Sequence, residues 1–232
     1  MRKLYIGNKN YSSWSMRPWV LMKQAGIAFE EVMVRFDDFN APDSVFKRTM
    51  AALSPTAQVP LLADGSIKVW DTLSIVEYLA ESCPDKQLWP AEAGQRAHAR
   101  SICAEMHGGF RALRGACAMS IEADLATHGA IIWRDNPAVR ADVERIVQMW
   151  TELLAANAAS HPDGMLFGRF GIADAYYAPV VMRLTRYALP VPADVAAYLE
   201  RVEALPGVKA WVDGALAEHD FLAFEEPYRL GR

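Results

Sequence analysis

Apolar and polar positions follow two different rhythms along the 232-residue chain. In the first part, short apolar runs alternate with helical ones. LYIG (4–7) predicts a short strand, and PWVLMKQAG (18–26) predicts a helix with Gly26 at its end. FEEVMV (29–34) alternates β-branched and aromatic positions with acids, which is strand chemistry. DSVFKRTMA predicts a short helix. VPLLA and IKVW flank Asp64-Gly65, a hairpin signal. In TLSIVEYLAES (72–82), Leu73, Ile75, Val76 and Leu79 recur at near-helical spacing. The predicted order is β-α-β-α-β-β-α, an α/β unit.

CPDKQLWPAEAG (83–94) is polar, carries two prolines and reads as a linker. Beyond it strand signals almost vanish. Helices are predicted over 95–118, 139–160, 172–187, 193–205 and 208–218, with breaks at Asn136-Pro137, His161-Pro162, Leu189-Pro190 and Pro206-Gly207. The expected organisation is an α/β domain over 1–82, a linker over 83–94 and an all-helical domain over 95–232. No repeat or low-complexity tract interrupts it.

Composition narrows the function classes. Hydrophobic residues at 52% and charged residues at 22% fit a soluble globular protein. A net charge of -4 argues against nucleic acid as the main partner, because phosphate binding needs a concentrated basic surface. No apolar run of about 18 residues predicts a membrane span, and MRKLYIGNKN turns polar too early for a signal peptide. Cys83, Cys103 and Cys117 are widely spaced and form no CxxC pair, so neither a metal nor a dithiol centre is expected. They read as structural, reduced thiols of a cytoplasmic protein.

The candidate chemistry begins at NYSSWSMRPW (10–19), where Ser12, Ser13 and Ser15 precede Arg17 and Pro18 at a strand-to-helix turn. One of Ser13 and Ser15 suffices to cap the helix, and Arg17 alone reads as an ion-pair residue. A helix N-terminus with spare hydroxyls can instead stabilise an anion such as a thiolate. Lowering a thiol pKa by about 2 units needs only about 2.7 kcal/mol. In AQVPLL (57–62), Pro60 opens a strand, and the Val59-Pro60 bond is a candidate for the cis form that turns the Val59 backbone outward. Asp71 and Thr72 precede an apolar-periodic helix. Asp71 can cap that helix, or the pair can receive a carboxylate and an ammonium group, as a zwitterionic amino-acid end would offer.

SSWSMR, QVP and DTLSIVEYL, with GRFGIADAYYAPVV (168–181) in the helical half, together resemble the cytosolic glutathione S-transferases over essentially the whole chain. The resemblance implies a thioredoxin-like N-terminal domain, an all-α C-terminal domain, glutathione as co-substrate without a metal, detoxification chemistry and a cytoplasmic homodimer. It implies Ser12 as the thiolate hydrogen-bond donor, with Ser13 as the alternative. Val59, before a cis Pro60, would hold the cysteinyl unit. Asp71 and Thr72 would hold the γ-glutamyl end, Gln58 the glycyl carboxylate, and Trp14 would wall the site. SSWS is similar to the zeta-class SSCS with Trp14 in place of cysteine, which disfavours both maleylacetoacetate-type isomerisation and thiol transfer. Gly171 stands where the family carries a Ser or Thr cap, and Asp174 reads as structural.

In AEMHGGFRALRGAC (104–117), Met106, Phe110, Leu113 and Cys117 form an apolar stripe. On one continuous helix, His107, Arg111 and Arg114 would share the adjacent face. The segment also resembles the ELHxGF stretch of beta-class enzymes. His107, Phe110 and Arg111 are therefore expected to border the electrophile pocket and to favour a negatively charged substrate or leaving group; a solvated basic face is the alternative. Trp19 would flank the site beside Trp14, whereas Trp133, Trp150 and Trp211 read as packing residues. The leading reading is a glutathione transferase. The alternatives are a glutathione-dependent cis–trans isomerase and a non-catalytic ligand carrier.

Overall fold

A computed structural model describes residues 1–38, 41, 43–158 and 163–229. The expected break at His161-Pro162 and the end of the helix expected over 139–160 lie outside the described residues. The chain opens with β1 (Lys3–Ile6), α1 (Ser13–Gln24), β2 (Glu30–Met33), α2 (Val45–Leu53), β3 (Leu61–Asp64), β4 (Ile67–Trp70) and α3 (Thr72–Ser82). The four strands form one sheet in the order β2-β1-β3-β4. β1 and β2 run parallel, while β3 is antiparallel to both β1 and β4. This is the predicted β-α-β-α-β-β-α order. Gly65 supplies the left-handed turn of the β3–β4 hairpin at φ +61.

The start of α1 differs from the expected one in a way that matters. The helix begins at Ser13, five residues before the proline expected to open it, and runs through Pro18. Proline costs a helix one N–H. The bond lost here is the one to the Trp14 carbonyl; the neighbouring Ser13 carbonyl accepts from Arg17 Nη1 at 3.1 Å. The whole serine-bearing turn therefore belongs to the helix end.

After a 3-10 turn at Pro84–Lys86 the chain is mostly helical: α4 (Ala93–Gly108), α5 (Arg111–Ala116), α6 (Ala126–Asp135), α7 (Pro137–Asn157), α8 (Ile172–Arg186), α9 (Ala193–Ala204) and α10 (Pro206–Leu216). The single helix expected over 95–118 is two. Gly109 leaves α4 where a Cβ would lie 2.6 Å from the Glu105 carbonyl oxygen, and Phe110 turns the chain at φ +51. α6 was not expected; in ATHGAIIWRD the apolar residues bunch in the consecutive run Ala130–Trp133 rather than recurring at helical spacing. Helix α8 runs through the middle of this half, buried from Ile172 to Leu184. It packs against α1, joining the two halves through one core that includes Met16, Val20, Trp150 and Tyr177.

Asp174 fixes the start of α8. Its carboxylate accepts from Gly171 N–H (3.0 Å), Leu166 N–H (3.0 Å) and the Tyr198 hydroxyl (3.0 Å). Burial pushes its carboxyl up to about 6 despite these donors. Gly171 is not merely a weak cap: a Cβ there would sit 2.9 Å from the Leu88 carbonyl oxygen, which also accepts from Ile172 N–H at 3.0 Å. No described helix is long and apolar enough to cross a membrane, and the described residues hold no cluster of three or more potential metal ligands.

Candidate active site

The opening turn is built by the Asn8 carbonyl, which accepts from Tyr11 N–H (3.1 Å) and Ser12 N–H (2.8 Å). This sets Ser12 at the N-cap of α1, buried, with no side-chain cap bond. The Ser12 hydroxyl donates instead to Ser15 Oγ at 2.7 Å, and Ser15 Oγ accepts from Gly7 N–H at 3.2 Å. Neither Ser13 nor Ser15 caps the helix. The backbone N–H groups of Trp14 and Ser15 find no acceptor among the described residues. A hydroxyl, two free N–H groups and a positive helix end thus converge, an arrangement with the chemistry to stabilise an anion. Because Ser15 takes its own bond from Gly7, its proton can turn toward Ser12. That frees the Ser12 proton for an incoming anion.

Arg17 was expected in an ion pair and has none: no carboxylate lies within 4 Å of it among the described residues. It is fully buried. Nε donates to the Tyr176 carbonyl at 2.8 Å, and the guanidinium lies over the rings of Trp14 (4.0 Å) and Tyr176 (4.9 Å). Burial pushes it down to about 9. The weak hydration of a guanidinium and the aromatic faces make this tolerable where a lysine would not be.

Across the cleft, the Val59-Pro60 bond is cis. The backbone groups of Val59 take no hydrogen bond among the described residues, and Gln58 is exposed at the rim. Asp71 stands at φ +71, a conformation that costs a non-glycine residue on the order of 1–3 kcal/mol. It caps α3 through Leu73 N–H (2.9 Å), while Thr72 is buried at the first helical position. Strain kept at a pocket edge is a pointer to function.

Ser12, Ser13, Trp14, Gln58, Val59, Pro60, Asp71, Thr72 and His107 all line one cleft of about 1080 Å³. That exceeds the usual size of a small-molecule pocket and leaves room for a peptide plus a second molecule. His107 links the halves: Nδ1 lies 2.8 Å from the Tyr176 hydroxyl and Nε2 3.4 Å from Asp71 Oδ2, with the Trp14 ring at 5.1 Å.

Two expected residues lie elsewhere. Phe110 is buried in the core, and Arg111 is exposed with Nε 3.4 Å from the Gly108 carbonyl oxygen; neither lines the cleft. The reason is the helix break at Gly109, which rotates α5 so that His107, Arg111 and Arg114 no longer share a face. Arg114 lines the cleft instead, together with Arg183 from α8 and Tyr11, Met119 and Glu225. An arginine inside the otherwise apolar run of α8 was the one available sequence signal for Arg183. Trp19 is buried against Trp211 rather than walling the site. Cys103 and Cys117 are free and buried, and burial pushes the Cys117 thiol up to about 12. The opening turn carries no cysteine of its own.

Comparison with known proteins bears on the family and the fold. Residues 11–82 match the model for the glutathione S-transferase N-terminal domain, and residues 121–214 match that for the C-terminal domain. A probable maleylacetoacetate isomerase of Caenorhabditis elegans is 29% identical over 47% of this chain and 48% of its own length. The maleylacetoacetate isomerase of Rattus norvegicus is 30% identical over 48% of this chain and 50% of its own. The chain thus spans about half the length of these curated relatives. A glutathione transferase homologue from Burkholderia, solved with bound glutathione, superposes with TM-score 0.66 at 24% identity over 94% of this chain and 99% of that one. A glutathione S-transferase from Rhodospirillum rubrum gives TM-score 0.66 at 20% identity over 100% and 97%. At that identity the solved structures speak for the fold, a thioredoxin-like unit followed by helices, while the two matched models together span well over half the sequence. By those two matches, the chain belongs to the glutathione S-transferase family.

Proposed function

We propose that this protein binds glutathione in the cleft and presents its thiolate to an electrophile. One observation carries the reading: Ser12, Val59 and the Asp71-Thr72 helix end, distant in sequence, line the same cleft. Ser12 and the front of α1 take the sulfur, Val59 the cysteinyl backbone, Asp71 and Thr72 the γ-glutamyl end, and Gln58 the glycyl carboxylate. Trp14 forms a wall. Residues 1–82 serve as the glutathione unit, 83–94 as the connection and 95–232 as the opposite wall. The nucleophile belongs to the co-substrate; the protein supplies orientation and charge stabilisation. The same reading takes the chain to act as a cytoplasmic homodimer in detoxification, and sedimentation analysis checks the dimer.

Ser12→Ala is expected to raise the pKa of bound thiol by at least about one unit, read by absorbance near 240 nm across pH. An unchanged pKa in that variant, with a raised one in Ser13→Ala, transfers the role to Ser13.

A second reading, cis–trans isomerisation by addition and expulsion of glutathione, is favoured by the likeness to the maleylacetoacetate isomerases of Caenorhabditis elegans and Rattus norvegicus. Trp14 in place of a cysteine counts against it, so a coupled assay with maleylacetone is expected to show little turnover. Calorimetric binding of glutathione with no turnover across a panel of model electrophiles would indicate a carrier.

A further inference from the structure

The lining of the cleft carries an excess of positive charge that the glutathione reading does not use. Lys47, Arg114 and Arg183 line the cleft against two carboxylates, Asp71 and Glu225, in a chain whose net charge is -4. Neither Arg114 nor Arg183 has an ion pair within 4 Å among the described residues. Arg114 Nη1 donates to the carbonyls of His107 (3.3 Å) and Gly109 (3.1 Å), and its guanidinium lies 4.9 Å from the Trp14 ring centroid. Arg183 Nε donates to the Cys117 carbonyl at 2.9 Å and Nη1 to that of Pro179 at 3.3 Å. Nη2 of each guanidinium has no acceptor among the described residues.

Burying cations without a counter-charge is expensive. Burial pushes Arg183 down to about 10, the charge of Arg114 adds to that fall, and Arg114 is itself lowered by burial and by Arg111. Glu225 faces Arg183 without an ion-pair contact, and burial raises its own carboxyl. The pair of arginines is therefore held in place by neutral carbonyls, with one fork end of each left over. That arrangement suits an incoming planar anion, because two guanidiniums offer charged donors to two carboxylate oxygens. Carbonyl anchoring also holds the forks still before the anion arrives, which lowers the ordering cost of binding.

We propose that the second substrate is an electrophile bearing a carboxylate, held by Arg114 and Arg183 on the helical wall; this rests on the reading of the cleft as a glutathione site. Arg111, at the exposed side of α5, has no part in it. The carboxylate docks on the two arginines while the electrophilic carbon faces the sulfur at the front of α1. The specificity-determining residues thus come from α5 and α8, opposite the tripeptide.

The test compares 4-chloro-3-nitrobenzoate with 4-chloro-3-nitrobenzamide, each rate divided by its uncatalysed rate with glutathione. In both, the thiolate forms a bond to the carbon bearing chlorine. Chloride leaves with the electron pair of the broken C–Cl bond, and the thiol proton has already passed to solvent. The acid is expected to exceed the amide about tenfold in normalised kcat/KM. Arg114→Met is expected to bring that ratio close to one, Arg114→Lys to restore part of it, and added salt to lower it in the unmodified protein. Equal normalised rates, or a ratio that neither Arg114→Met nor salt alters, overturn the anionic class and leave the glutathione reading standing. No turnover of either compound, with no calorimetric binding of glutathione, overturns the reading beneath it.

Discussion

Under the proposed reading, Ser12 and Ser15 divide one task between them. Ser12 reaches the cleft, and Ser15, fully buried, holds Ser12 while being held by the Gly7 N–H. A thiolate that accepts from Ser12 draws on a chain of three donors, and each link polarises the next. Ser15→Ala removes the middle link without touching the sulfur. It is expected to raise the bound thiol's pKa by about half a unit, less than Ser12→Ala, in the same absorbance titration. A fall in pKa would refute the relay. This division was not legible in the sequence. Three hydroxyls on one turn suggest an anion site, but which one points inward depends on the register of the helix start. Pro18 misplaced that start by its own usual preference for the first helical position.

At the scale of elements, α8 shows where propensity misleads. Gly171 reads as a poor cap, and Gly171→Ser would ordinarily improve it. The Leu88 carbonyl oxygen, 2.9 Å from where a Cβ would sit, reverses that expectation. Gly171→Ser is expected to destabilise the protein by about 1–2 kcal/mol in urea titration; a stabilised variant would show that the 83–94 segment yields freely. Asp174 adds a pH dependence. Its carboxyl is raised to about 6, above the ordinary carboxylate range, so the native state holds that proton more tightly than the unfolded chain. Its contribution to stability is full below about pH 4 and is lost as pH rises through about 6, by about 2–3 kcal/mol. Against Asp174→Asn, which cannot titrate, the unmodified protein is expected to lose relative stability over that interval. A constant difference would mean that the carboxyl stays ionised throughout. The strands, α3 and most helix positions could be read from periodicity alone. The α4–α5 break could not, because a Gly108-Gly109 pair weighs on a helix as a cost before it shows itself as an end. That break decides which arginine meets the cleft.

At the scale of the whole molecule, the C-terminal segment clamps the turn that carries Ser12. Glu218 accepts from Lys9 N–H at 2.6 Å and Asn10 N–H at 3.3 Å, Asp220 from Asn8 Nδ2 at 2.6 Å, and Glu226 from the Tyr11 hydroxyl. These contacts join the two ends of the chain, and no local pattern announces them. Burial, helped by Glu226, pushes the Tyr11 hydroxyl up to about 12, which keeps it a neutral donor at physiological pH. Glu218→Ala leaves two backbone donors short of their acceptor and is expected to cost about 1–3 kcal/mol in denaturant titration. Stability unchanged by it would mean that water replaces the carboxylate without loss. The halves also meet at His107, which bridges Asp71 of the first and Tyr176 of the second.

All of this converges on where the sulfur of bound glutathione would rest, and a crystal structure with glutathione tests it most directly. The account predicts the sulfur within hydrogen-bonding distance of Ser12 Oγ at the front of α1, with the γ-glutamyl end at Asp71 and Thr72. Glutathione seated away from that turn, or with its two ends reversed in the cleft, would contradict it.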